Sequence, residues 1–134
     1  MPDSIPVFNT KIVVNDVDAM AAFFDAVFGL SSVSRNSGGE GHHQFDELLI
    51  GADGTRGGGF TLLSWVNRPT PSPDGVMLMF LVPDIAAVID RAVAAGGSAT
   101  EPRKVAREGR PKIEISFVST PEGHECECVQ VVAS

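Results

Sequence analysis

The sequence predicts an α+β fold in which two copies of a βαβββ unit form a curved mixed sheet, or half-barrel, around a pocket. Three observations carry this. An order of strand, Asp cap, helix and glycine stop occurs twice. An offset of 68 positions brings Ile12 onto Phe80, Val14 onto Val82, Asp16 onto Asp84, Met20 onto Val88 and Gly29 onto Gly97. Residues 67–75 hold three prolines, suit neither helix nor central strand, and separate the halves. At 134 residues the chain reads as one domain over 1–134, with module one at about 7–66, the linker at 67–75 and module two at about 76–132. A chain of this length buries roughly two thirds of its unfolded surface, so it folds without a disulfide or metal.

Each element has a local reason. Residues 10–15 are β-prone, with Ile12 and Val14 on one face. A helix over 18–28 takes Asp16 or Asp18 as N-cap and stops at Gly29. Its buried stripe is Met20, Phe23, Phe24, Val27 and Phe28. A second strand starts at 30–35, is interrupted by Gly38, Gly39 and Gly41, and continues at 43–45. A third strand covers 47–50, a glycine-rich turn 51–59 and a fourth strand 60–65. Module two repeats the order: a strand at 77–82, a helix at 85–95 capped by Asp84 and stopped by Gly96 and Gly97, and an edge segment at 100–105. A strand at 113–118 turns Ile113, Ile115 and Phe117 toward the helix, and 124–131 is the last strand.

Charge and composition exclude several classes. The net charge is −7, which disfavours nucleic acid and anionic membranes as partners. The group Arg103, Lys104, Arg107, Arg110 and Lys112 reads as a solvated loop. No run approaches the ~20 apolar residues of a membrane span, and residues 1–9 lack the basic start and apolar run of a signal peptide. The expected location is cytoplasmic. Cys126 and Cys128 sit two apart in one strand, where side chains on one face are too far apart for an unstrained disulfide, and read as two buried thiols.

Three stretches carry a family resemblance: residues 12–30 (IVVNDVDAMAAFFDAVFGL), 80–97 (FLVPDIAAVIDRAVAAGG) and 120–127 (TPEGHECE). In this order and spacing they resemble the vicinal oxygen chelate superfamily, which includes glyoxalase, bleomycin-resistance and extradiol dioxygenase proteins. The resemblance implies the fold above, a small-molecule ligand and a homodimer. It also implies a metal site with one ligand from each of four strands. Carried over, those positions fall on Asn9, on Leu63 or Ser64, on Met77 and on Glu127. Only Glu127 matches, and Leu and Met do not bind hard divalent cations. No cofactor is therefore expected, although a divalent metal held by rearranged ligands stays open.

With the carried-over positions Asn9, Leu63, Met77 and Glu127 turned inward as the resemblance implies, strand alternation extends the concave face. Asn9, Lys11, Thr61, Leu63, Trp65, Met77, Met79, Glu125 and Glu127 are expected on it, together with Glu114 and Ser116 from the seventh strand. Met, Leu and Trp walls with a few polar groups are the usual make-up of a ligand pocket. Trp65 either stacks on a planar ligand or caps the core. Lys11 with Glu114, Glu125 and Glu127 forms either a proton-transfer cluster or an ordinary salt bridge. His42 and His43, adjacent in the chain, read as a polar edge, and His124 lies beside the turn near the pocket mouth.

The leading functional expectation is a protein that binds or sequesters a planar or aromatic metabolite or antibiotic. One alternative is a metal-independent isomerase or lyase with Glu127 as base and Lys11 beside it. Another is a divalent-metal glyoxalase- or dioxygenase-type enzyme in which histidines replace the missing ligands.

Overall fold

Asp16 and Asp84 open the two helices of the computed structural model, which describes residues 2–132. Asp16 accepts a hydrogen bond from the Ala19 amide (2.9 Å), and Asp84 accepts one from the Ala87 amide (3.2 Å). Each carboxylate satisfies an amide that the first turn leaves without a helical partner. The helices are α1 (Val17–Phe28) and α2 (Ile85–Ala94). Gly29 ends α1 in the left-handed region, at φ 68°. Asp18, the other expected cap, instead pairs with Arg35.

Four strands precede the linker: β1 (Lys11–Val13), β2 (Leu30–Gly38), β3 (Phe45–Ala52) and β4 (Phe60–Trp65). Five follow it: β5 (Met77–Leu81), β6 (Ser98–Ala99), β7 (Arg103–Val105), β8 (Ile113–Ser119) and β9 (Glu125–Val131). The first sheet runs β1-β4-β3-β2 and the second β5-β9-β8-β6, with β7 also on β8. In both, the strand before the helix pairs in parallel with the last strand of its unit. This is the α+β fold of two βαβββ-like mixed sheets.

The glycines at 38–41 act differently from the expectation. They do not interrupt β2; they form the turn of a β2–β3 hairpin. Gly39 and Gly41 take φ of 71° and 58°, and a 3-10 turn over Gly41–His43 completes the reversal. Phe45 therefore opens β3, opposite Gly38, rather than extending the second strand.

One apolar cluster lies beneath both sheets. Met20, Phe23, Phe24 and Val27 of α1 meet Ile12, Ile50, Phe60 and Leu62 on one side, and Val88, Ala92, Val118, Cys126 and Cys128 on the other. Aromatic rings run through it. Phe24 packs edge-on to Phe60 (5.0 Å), and Phe28 stacks on Phe80 of β5 (3.9 Å). Polar ties join the halves at the rim. Arg91 Nε donates to the Val27 carbonyl (3.1 Å), and the Glu122 carboxylate accepts from the amides of Asn15 (2.7 Å) and Asp16 (2.9 Å). The β1 and β5 strands do not pair with each other, and each ends its sheet as an edge.

Candidate functional site

Helices cover one face of each sheet, and the opposite faces stay open. On the first sheet, cross-strand register groups Lys11, Thr61, Leu49 and Ser34 in one row and Val13, Leu63, Glu47 and Asn36 in the next. Trp65 shares the face with Phe45. Asn9 precedes β1, and its Oδ1 accepts the Thr61 hydroxyl (2.7 Å).

At the centre of this face is an ion pair. Lys11 Nζ lies 2.8 Å from Glu47 Oε2 and 5.6 Å from the centroid of the Phe45 ring. Glu47 is 9% exposed, and its Oε2 has no aligned hydrogen-bond donor. The contact is thus electrostatic rather than a directed hydrogen bond. Around it a cavity of about 290 Å³ is lined by Asn9, Thr61, Ser34, Asn36, Leu49, Phe8 and Arg56.

The open face of the second sheet is more apolar. Met77 and Met79 stand opposite Glu125 and Glu127, and Leu81 stands opposite Val129. Next to them, Phe117 faces Glu127 and Ile115 faces Val129. This corrects the expectation for β8. Glu114 and Ser116 do not point to the open face. Ser116 is fully buried opposite Cys128 and donates to the Thr100 carbonyl (2.8 Å); Glu114 stands opposite Gln130, which caps the α2 amide of Ile85 (2.8 Å). A hydroxyl bonded to a carbonyl is tolerated in a core, so the alternating pattern of β8 reads the wrong way round. Ile115 and Phe117 instead floor a second cavity, of about 350 Å³, with Thr100, Glu101, Arg103 and Val105.

Lys11 and Glu127, the expected acid–base pair, lie on different sheets, and the partner of Lys11 is Glu47. Glu47 was absent from the expected site. The signal was there: in the apolar run of β3 it is two positions from Leu49, so it shares that residue's face.

His124 and His42 hold loops. His124 is buried; its Nε2 donates to the Val13 carbonyl (3.2 Å), which leaves Nδ1 to accept from the Thr120 hydroxyl (3.3 Å). His42 Nε2 accepts from Arg68 (2.8 Å), and the Arg68 guanidinium lies 3.5 Å from the centroid of the Trp65 ring. One face of Trp65 is therefore already stacked.

The family metal site does not fit these residues. Asn9 Oδ1 is engaged by Thr61, and Leu63 and Met77 offer no hard donor, which leaves Glu127 as the one carboxylate among the carried-over positions. Among the described residues, no three His, Cys, Asp or Glu side chains are grouped to hold a metal ion. Burial pushes the Cys126 thiol up to about 12, with Cys128 and Glu125 adding to it, and burial and Glu127 push Cys128 up to about 11. Both thiols stay protonated at neutral pH and act as small apolar core groups.

Comparison with known proteins agrees with this architecture. Residues 9–129 match the family model described as a glyoxalase-like domain. No curated protein matches the chain. Among solved structures, a glyoxalase family protein from Bacillus cereus has a TM-score of 0.77 at 17% identity, covering 98% of this chain and 97% of that one. TnmS3, an antibiotic binding protein from Streptomyces sp. CB03234, has a TM-score of 0.64 at 17% identity, covering 98% and 100%. The fosfomycin resistance protein FosX from Listeria monocytogenes has a TM-score of 0.63 at 13% identity, covering 98% and 96%. At these identities the structural likeness concerns the fold.

Proposed function

The chain belongs to the glyoxalase-like domain family, and on that premise we propose that it binds or sequesters a planar or aromatic small molecule, a metabolite or an antibiotic, on the open faces of its sheets. The observation that carries this reading is the make-up of those faces. They combine apolar and aromatic walls with a few fixed polar groups, the usual composition of a ligand site. The four strand positions where relatives place metal ligands carry Asn9, Leu63 or Ser64, Met77 and Glu127 here, a set suited to contact rather than metal catalysis. The antibiotic binding protein among the similar folds supports the ligand class by analogy.

Calorimetric titration with a panel of planar aromatic compounds, antibiotics included, tests the reading, with each compound recovered and analysed afterwards. At least one compound is expected to bind and return chemically unchanged. Binding of none would contradict the proposal.

The working form is proposed to be a homodimer. On β5, an edge strand, Met77, Met79 and Leu81 stand 50%, 68% and 76% exposed, a row of apolar side chains that a second copy would cover. Sedimentation equilibrium is expected to give twice the chain mass, and a monomer at every concentration would contradict this part.

A second reading, a metal-independent isomerase or lyase, is favoured by the Lys11–Glu47 pair. A buried carboxylate beside an ammonium is a suitable base for a proton next to a carbonyl, with the ammonium facing the enolate oxygen. Recovery of an altered compound from the same panel would select this reading.

A further inference from the structure

The cavity on the first sheet has a polarity that narrows the ligand class. Glu47 lines the cavity, and its Oε2 is held 2.8 Å from Lys11 Nζ. The second oxygen of such a carboxylate gains from a hydroxyl or amine that enters the cavity. Lys11 and Arg56 set two positive charges against this one negative charge. In a chain of net charge −7, a local positive surplus selects for an anion. The Arg56 guanidinium sits 5.5 Å from the centroid of the Phe8 ring, which holds it over the cavity beside an apolar wall. The volume of about 290 Å³ has room for one substituted ring.

We propose that this cavity binds a single-ring aromatic compound carrying both a hydrogen-bond donor, directed at Glu47, and an anionic group, directed at Arg56 and Lys11. This inference rests on the ligand-binding reading and specifies its ligand. Lys11 already neutralises part of the Glu47 charge, so Glu47 serves the ligand as an acceptor and Arg56 serves it as the free cation.

The test is titration of the full chain with 4-hydroxybenzoate, benzoate (no donor) and phenol (no carboxylate). Wild type is expected to prefer 4-hydroxybenzoate over each of the others by about tenfold. Glu47→Leu, which removes the acceptor, is expected to abolish the preference over benzoate while keeping that over phenol. Arg56→Gln, in an exposed turn where folding is not at stake, is expected to abolish the preference over phenol while keeping that over benzoate. Equal affinity of wild type for all three probes would overturn the proposal. It would be overturned too if another panel compound binds, none of the probes competes with it, and neither variant alters its affinity; the ligand-binding reading would then stand. If nothing binds at all, both fail together.

Discussion

Phe24→Ala is expected to destabilise the chain by about 3–5 kcal/mol, the range for truncating a fully buried aromatic side chain. Phe24 has no exposed surface. Its ring sits edge-on to Phe23 (5.7 Å) and Phe60 (5.0 Å) and stacks at 6.1 Å with Phe28, which itself stacks on Phe80 of the second sheet. Truncation thus removes apolar contact in module one and loosens the ring that joins it to module two. Collapse around the void is limited because its neighbours are held by two sheets. Urea unfolding followed by circular dichroism measures the effect. A loss below about 1 kcal/mol, the size of an average point mutation, would mean that the two halves do not share this core.

Gly97→Ala is expected to cost about 3 kcal/mol, the upper range for overpacking a tight site. A Cβ at Gly97 would collide with the Ser119 carbonyl of β8 and lie 2.8 and 3.1 Å from atoms of the Phe23 ring. The carbonyl is fixed by the pairing of β6 with β8, and the ring is fixed in the core. Relief therefore requires the connection between α2 and β6 to move off β8. Gly75→Ala, where a Cβ meets nothing within 4 Å, is the control and should leave stability within about 0.5 kcal/mol. Equal stability of both variants would contradict the close approach at Gly97.

The fold was legible in the chain because its signals are local and occur twice. Asp16 and Asp84 hold the same cap position, and the offset that aligns them also aligns the strands before and the glycines after. The open face of module one followed from the resemblance extended by alternation: with Asn9 and Leu63 turned inward, a period of two adds Lys11 and Thr61, which the register groups together. Module two was harder. Along β8 the alternation is clear but inverted: Ile115 and Phe117 lie on the open face and Glu114 and Ser116 on the helix side, so the rule that hydrophobic residues face the helix pointed the wrong way. Ser116 looked like a pocket residue because its partner, the Thr100 carbonyl, comes from outside the strand. The Lys11–Glu47 pair was hidden for a related reason: it joins the first and third strands of a unit, and the pairing of β3 with β4 that brings them close is set by tertiary structure. The 38–41 glycines show the limit of reading turns from composition. Glycine marks a positive φ, whereas the register of the following strand decides whether the result is a bulge or a hairpin.

The central claim is that a small molecule binds on the open sheet faces. Amide hydrogen exchange with and without the tightest panel compound tests it most directly, because it reports the place as well as the fact of binding. Added protection is expected within residues 9–13, 45–49 and 61–65, which frame the Lys11–Glu47 cavity. Protection confined to α1 and α2, on the covered side of the sheets, would contradict the account.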